Sequence, residues 1–201
     1  MNLFSVKKLH FLNCGPIDLQ IKPAEIIGLS GASGSGKSRL LRALADLDAH
    51  KGEIQLDETP QQAINAHVWR KKVSLLPAET SWWFDTVGEH FSELPESEFS
   101  AQLQALGFLQ DISGWSIARL SSGEKQRLGL LRLLQSTPDV LLLDEPTANL
   151  DRQGTALFEG FIKKYLSSKH ACAIWVSHDT EQLISLCQRR YEIKQGVLHV
   201  C

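Results

Sequence analysis

A short glycine-rich segment, Gly31 to Ser38, matches the phosphate-binding pattern G-x-x-x-x-G-K-[ST]. Glycine permits the backbone angles with which the N–H groups of such a loop turn toward phosphate oxygens. Lys37 can reach the β- and γ-phosphates of a nucleotide, and the Ser38 hydroxyl can ligate Mg²⁺. The helix expected to follow would point its N-terminus at the same anion. The segment therefore predicts a site for a nucleotide and Mg²⁺.

Two carboxylates follow a second apolar run further along the chain. Val140 to Leu143 is expected to form a buried strand, and it ends in Asp144 and Glu145. Ligands of α/β proteins bind at the carboxyl ends of such strands. Asp144 is a candidate ligand for Mg²⁺, and Glu145 can polarise a water for in-line attack on a γ-phosphate. Without the phosphate loop, a solvated acidic turn would be the better interpretation.

The segment from Leu120 to Arg127 opens a leucine-rich helix. Ser121, followed three residues later by Glu124, has the form of a capping box, which needs no function beyond starting the helix.

Several elements must position these groups, and the hydrophobic pattern predicts them. Strands alternating with helices indicate a parallel sheet with helices on both faces, which is an α/β fold. The segment from Pro77 to Leu120 differs, and we expect a mostly helical insertion there with one helical run near Ala101 to Phe108. The predicted strands are Glu25–Leu29, Gly52–Leu56, Val73–Leu76, Val140–Leu143 and Ala171–Val176, and the predicted helices are Ser38–Leu47, Ser121–Gln135 and Thr155–Leu166.

Composition narrows the class of protein. The chain has 201 residues, 43% of them hydrophobic, which suits one compact domain. Lys and Arg number 21 against 23 Asp and Glu, so a nucleic-acid partner is not expected. The four cysteines show no C-x-x-C spacing and are interpreted as free thiols of a reducing compartment. We see neither a signal peptide nor an apolar run approaching the ~18 residues that span a bilayer.

Together these pieces resemble the nucleotide-binding domain of ATP-binding-cassette (ABC) proteins, over essentially the whole chain. The phosphate loop, the signature Leu120–Glu124 and the acidic strand end occur in the family's order, followed by a D-loop at Ala148–Asp151 and a switch histidine, His178. The resemblance implies a RecA-like P-loop core formed by residues 1–77 and 121–201, with antiparallel N-terminal strands and a helical subdomain at 78–120. The stretch from Leu120 to His178 most resembles small bacterial cassettes of the metal- or iron-export type.

The resemblance also implies roles for individual residues. Two copies would sandwich two ATP molecules head to tail, with Ser121, Ser122, Gly123 and Asp151 acting on the partner's site. His178 would bond the γ-phosphate beside the catalytic Glu145, and an aromatic ring would stack on adenine, with Phe11 as the candidate and Phe4 as the alternative. The resulting nucleotide-binding set is Gly31, Ser33, Gly34, Ser35, Gly36, Lys37, Ser38, Arg39 and Phe11, with Ser38 and Asp144 as metal ligands.

The chain departs from the family pattern at several positions. Ser122 and Glu124 replace the usual glycine and glutamine of the signature, and Arg39 replaces a hydroxyl residue. More seriously, Ala78 stands where the Q-loop glutamine is usual, and alanine can neither ligate Mg²⁺ nor orient water. Glu79 is one candidate replacement, and a water molecule is the other.

The sequence therefore predicts a Mg²⁺-dependent ATPase that energises a membrane transporter through ATP-driven dimer closure. Its partner would be a separate integral-membrane permease, on the cytoplasmic face of the cell membrane. Trp82, Trp83 and Phe84 either dock that permease or pack in the core. Two alternatives stay open: a non-transport cassette ATPase acting on nucleic acid or ribosomes, and a regulatory nucleotide-binding module.

Overall fold

A computed structural model of the protein describes residues 3–201, which form two β-sheets and six α-helices. The strands are β1 (Phe4–Phe11), β2 (Cys14–Ile21), β3 (Ile26–Ser30), β4 (Lys51–Leu56), β5 (Thr59–Pro60), β6 (Val73–Leu76), β7 (Val140–Asp144), β8 (Cys172–Val176), β9 (Arg189–Lys194) and β10 (Val197–Val200). The helices are α1 (Lys37–Leu44), α2 (Ala66–Lys72), α3 (Glu96–Ala105), α4 (Ser122–Leu134), α5 (Arg152–Lys169) and α6 (Thr180–Leu186). Short 3₁₀ turns occur at Gln61–Ala63, Gly88–Phe91 and Ile117–Arg119.

The larger sheet carries the site and has the strand order β10-β9-β3-β8-β7-β6. Its five strands from β9 to β6 are parallel, and β10 pairs antiparallel with β9 at one edge. Strands β7 and β8 are buried on both faces, which is why they read as continuous apolar runs. The parallel sheet predicted from the sequence is confirmed.

The smaller sheet is antiparallel, with the order β2-β1-β4-β5. Its inner face packs on the larger sheet around α1, whose Leu40, Leu41 and Leu44 are fully buried. Trp69 of α2 closes this core, and its indole N–H donates to the carbonyl of Leu44 at 2.9 Å. The expected antiparallel N-terminal strands are therefore present.

The other face of the larger sheet is covered by α4, α5 and α6. Phe158, Ile162 and Leu166 project from one side of α5, and the ring of Phe158 meets Trp175 of β8 edge-on at 6.0 Å between centroids. Helices thus lie on both faces of a parallel sheet, and the predicted α/β class is correct. No helix within residues 3–201 has the combination of length and apolarity that crossing a membrane requires.

A third hydrophobic cluster lies in the segment after β6. It extends from Val87 to Leu131 and includes Leu128 and Leu131 of α4. Only one α-helix, α3, lies wholly between residues 78 and 120, and it begins five residues earlier than the predicted run. Besides α3, the regular structure of residues 78–120 consists of the 3₁₀ segments Gly88–Phe91 and Ile117–Arg119, and turns, bends and irregular chain make up the rest. The division into a core and a subdomain stays a prediction. Helix α4 contributes side chains both to the cluster under α5 and α6 and to this third cluster.

Candidate nucleotide-binding site

The phosphate loop connects the end of β3 to the first turn of α1. Its glycines adopt backbone angles that favour this residue type, with φ of 143° at Gly31 and 107° at Gly36. A β-carbon on Gly31 would lie 2.7 Å from the carbonyl oxygen of Ile193, so this glycine is also required by close packing. The buried Lys37 folds its ammonium back over the loop, where it donates to the carbonyls of Gly31 and Ala32 at 2.8 and 3.0 Å.

One buried hydroxyl of this loop fits an anionic ligand. The Oγ atom of Ser35 is enclosed by the loop, and it has no hydrogen-bond partner among the described residues. A buried hydroxyl without a partner is costly, so it is typical of a position that a ligand satisfies. Together with the Lys37 ammonium and the loop glycines, it fits the phosphate chain of a nucleotide.

A pocket of about 400 Å³ lies over the loop. It brings together the phosphate loop, the acidic end of β7 and the residue after β8, which come from widely separated parts of the chain. Its lining residues are Leu12, Asn13, Cys14, Ser33, Gly34, Ser35, Gly36, Lys37, Ser38, Arg39, Asp144, Glu145 and His178.

The acidic wall of the pocket is formed at the carboxyl ends of β7 and β8. The Nε2 atom of His178 lies 3.3 Å from Oε1 of Glu145, and the backbone N–H of His178 donates to Oε2 at 3.4 Å. The Oε1 contact lacks hydrogen-bond geometry, so within residues 3–201 this buried oxygen accepts no hydrogen bond. Burial raises the pKa of Glu145, while the charges of His178 and Lys37 oppose the rise. A carboxylate with a free oxygen and a raised pKa is suited to accept a proton from water.

The oxygen donors at the base of the pocket fit Mg²⁺. Ser38 and Asp144 line the same space, and a hydroxyl and a carboxylate are hard ligands of the kind that Mg²⁺ prefers. The described part of the chain holds no cluster of three or more His, Cys, Asp or Glu side chains that could bind a metal. Mg²⁺ sites generally use few protein ligands and complete the shell with phosphate oxygens and water.

The signature residues lie outside this pocket. Ser121 caps α4 in a complete capping box with Glu124, and Asp151 caps α5 by accepting from the N–H of Gly154 at 2.7 Å. Gly123 packs against the D-loop so closely that a β-carbon would lie 2.7 Å from the carbonyl oxygen of Asn149. One copy of the chain therefore does not bring its signature to its own phosphate loop.

The predicted aromatic contact with the nucleotide base needs correction. Phe11 and Phe4 are 3% and 0% exposed, so neither ring offers a face to a base. Phe11 instead lies under the loop, where a β-carbon on Gly36 would be 3.5 Å from its ring. Arg39 lines the pocket and its guanidinium pairs with Asp48 at 3.1 Å, so its contact with a nucleotide stays a prediction.

The replacement of the missing glutamine by Glu79 stays a prediction. Glu79 is exposed, and neither Glu79 nor Ala78 lines the pocket. The neighbouring Pro77 is instead tied to the signature helix, because the side-chain amide of the buried Gln126 donates to its carbonyl at 3.2 Å.

Some residues of the site carry no signal in the sequence. Leu12 and Asn13 of the β1–β2 turn and Cys14 at the start of β2 line the pocket although they belong to no motif. Behind the acidic wall, the amide nitrogen of Gln182 donates to Thr147 at 2.9 Å and to Glu159 at 2.8 Å. This amide links the D-loop region to the switch segment and is recognised only from the structure.

The fold and the site together define a P-loop nucleoside triphosphatase. A profile described as "ABC transporter" matches residues 14–148. Among curated proteins, the chain is 33% identical over 181 residues to an aliphatic sulfonates import ATP-binding protein of Paraburkholderia xenovorans, covering 90% of this chain and 70% of that protein. It is 36% identical over 191 residues to a protein of the same description from Paracoccus denitrificans, covering 90% and 71%.

These matches identify the family: the chain belongs to the ABC transporter family and is an ATPase subunit of that kind. A solved bacterial Atm1-family ABC exporter with ATP bound has the same fold, with a TM-score of 0.87 and 20% sequence identity. That likeness covers 98% of this chain and 38% of the exporter chain. The predictions of an ABC-type ATPase and of a transport role are confirmed, and the nucleic-acid and regulatory alternatives gain no support.

Proposed function

We propose that the chain hydrolyses ATP in the pocket over the phosphate loop, with Glu145 as general base. The observation that carries this assignment is the position of Glu145, whose unpartnered oxygen lies in the same pocket as Lys37 and beside His178. Ser38 and Asp144 would hold Mg²⁺, which when bound neutralises charge that develops on the phosphate oxygens.

Each residue then has one task in the reaction. The Lys37 ammonium exchanges the carbonyls of Gly31 and Ala32 for β- and γ-phosphate oxygens. Glu145 takes a proton from the attacking water, whose oxygen bonds to the γ-phosphorus as the bond to ADP breaks. His178 holds the γ-phosphate and keeps Glu145 oriented through its backbone N–H.

A second copy of the chain completes the site in this proposal. Ser121, Ser122 and Gly123 lie at the start of α4, where helix N–H groups and the helix dipole favour an anion. Because these residues are remote from their own phosphate loop, we propose that they meet the γ-phosphate held by a partner copy, with Asp151 at the same interface.

A cleft next to the third hydrophobic cluster is the proposed docking site for a membrane subunit. It has a volume of about 350 Å³ and lies between the end of β6 and α4. The three consecutive aromatic residues beside this cleft differ in burial. Trp82 packs partly into the cluster, whereas Trp83 and Phe84 are 64% and 47% exposed. The burial of Trp82 supports a packing role for that residue, and the exposure of Trp83 and Phe84 supports a docking role for these two.

The charge of the cleft defines the partner segment that fits it. Arg132 lies against the rings of Trp82 and Trp83 at 4.3 and 4.4 Å, and no ion pair to it is found within residues 3–201. The described lining includes Arg70 and no acidic side chain. We infer that a permease segment with apolar residues and a carboxylate docks here, on the inner face of the cell membrane.

The phosphate assignment is tested with Lys37→Ala. The variant removes the ammonium that would bind the phosphates and that the fold bonds only to two loop carbonyls, so nucleotide binding and phosphate release should be lost while the protein still unfolds cooperatively. Lys163→Ala removes an exposed lysine from α5 and should behave as the parent. Parent-like ATP binding and hydrolysis by Lys37→Ala would refute the assignment.

The docking assignment is tested by co-expressing the tagged chain with each candidate membrane subunit encoded near its gene and measuring co-purification. Replacing Trp83 and Phe84 by alanine should abolish co-purification and leave ATP binding intact. Leu109→Ala is the matched control, because Leu109 is 99% exposed on the same segment but outside the cleft. Unfolding of the double variant would show that the two rings serve packing.

A further inference from the structure

We propose that the site holds the nucleotide base without aromatic stacking, through Leu12 in the turn between β1 and β2, and therefore binds ATP and GTP with similar affinity. The inference rests on the proposed nucleotide site and concerns its base specificity. Its first observation is the arrangement of the pocket. Glu145 and His178 line the pocket from the ends of β7 and β8, which the proposed reaction assigns to the γ-phosphate, and Leu12 and Asn13 line it from the β1–β2 turn, where we infer that the base lies.

The second observation is that no suitable ring reaches this end of the pocket. Within the described residues, the pocket lining includes no Phe, Tyr or Trp. Phe11 is held below the loop by core packing, and Phe4 lies beside Trp69 at 6.4 Å between ring centroids. Leu12 is 69% exposed at the tip of the turn, so it is the apolar side chain available to a base.

The third observation is that the turn is held in place from behind. The N–H of Gly15 donates to the carbonyl of Gly196 at 2.8 Å. A β-carbon on Gly196 would lie 2.7 Å from the carbonyl oxygen of Asn13, so the β9–β10 turn packs directly on this backbone. Phe11 also pairs with Cys14 across the turn. Bringing the Phe11 ring to the base would break these contacts and open the core.

These contacts determine the expected specificity. Stacking on an aromatic side chain changes a dissociation constant by roughly fivefold to 150-fold per base, and Leu12 offers only a smaller apolar surface. The amide of Asn13 can present either its oxygen or its NH₂ group, so it can bond the exocyclic amine of adenine or the carbonyl of guanine. Affinity then comes mainly from the phosphates, which ATP and GTP share.

Equilibrium binding of ATP and of GTP to the purified chain, without turnover, tests the proposal. We expect their dissociation constants to agree within about fivefold, and Leu12→Tyr to tighten ATP binding by roughly tenfold. The backbone φ of Leu12 is 50°, and tyrosine is no more strained there than leucine. Leu109→Tyr adds the same ring at a remote exposed site and should change neither constant.

Two results would overturn the proposal. One is parent protein that prefers ATP over GTP by more than about thirtyfold, and the other is Leu12→Tyr with unchanged ATP affinity. Failure of the underlying site looks different, because neither nucleotide would bind to the parent protein and Lys37→Ala would then make no difference.

Discussion

The substitution Glu145→Gln should have opposite effects on catalysis and on stability. Glutamine keeps the size of the side chain but cannot accept a proton from water, and the rest of the pocket is unchanged. Loss of a general base typically lowers the rate by about 10²- to 10⁴-fold, or about 3–5.5 kcal/mol in activation free energy. The ATP dissociation constant should stay close to that of the parent, because Lys37 and the loop amides are intact.

Stability should rise at the same time. Burial raises the pKa of the Glu145 carboxyl above its value in the unfolded chain, which is near 4.5. The folded chain therefore binds a proton at this group more readily than the unfolded chain does. The charged carboxylate therefore costs folding free energy above the raised pKa, and the cost vanishes below about pH 4.5. The uncharged glutamine removes this cost at neutral pH, and the melting temperature of the variant should exceed that of the parent there.

The assays are single-turnover phosphate release, nucleotide binding and thermal unfolding at two pH values. Glu58→Gln is the control, because Glu58 is exposed and outside the pocket, and it should behave as the parent. Phosphate release at the parent rate would show that Glu145 is not the base. A melting temperature below that of the parent at neutral pH would show that its burial does not act as argued.

Three further predictions concern other parts of the molecule. Gly31→Ala should lower the melting temperature by roughly 5 °C or more, because the new β-carbon would meet the backbone carbonyl of Ile193. Gly34→Ala, where φ is 76° but no atom lies near the new β-carbon, should lower it by only about 2–4 °C. Equal losses in the two variants would refute the packing argument. Alkylation of the Cys14 thiol should block nucleotide binding, and bound ATP should slow the alkylation, which peptide mapping measures. Labelling of Cys14 at the same rate with and without ATP would place the thiol outside the site. Burial lowers the pKa of His90, whose Nε2 accepts from the N–H of Trp83 at 3.3 Å, so the segment around Trp83 should loosen as pH falls below about 6.5. Tryptophan fluorescence should report this change, and His90→Phe should abolish its pH dependence. A pH dependence that persists in His90→Phe would refute the role of His90.

The sequence identifies the parts of the fold whose signals are local. The strand Val73–Leu76 is predicted with its observed bounds, and Val140–Leu143 is one residue short. The phosphate loop is equally local, since its chemistry requires neighbouring residues. Helix α2 and the whole region of α6, β9 and β10 were not predicted, because these elements are short and their apolar positions show no clear period.

Phe11 shows why the base end of the site could not be predicted. Residues of a regular strand alternate between faces, so with Phe4 and Val6 in the core, Leu9 and Phe11 would point outward. The pairing of β1 with β2 is irregular between Val6 and Leu9, and Lys8 has a φ of 48°. This irregularity turns Leu9 and Phe11 into the core, and no residue of the sequence signals it.

The order of strands in the larger sheet has a consequence for synthesis of the protein. Strand β3, which carries the phosphate loop, lies between β8 and β9, and Ile26 pairs with Ala173. A ribosome adding about 5–20 residues per second needs roughly 7–30 s to supply the roughly 150 residues between these pairing partners. During that interval β3 is an apolar segment without neighbours, exposed to aggregation and to chaperones. The nascent chain can acquire nucleotide only after β8 and β9 have emerged, so ATP binding marks the end of folding and cannot guide its beginning.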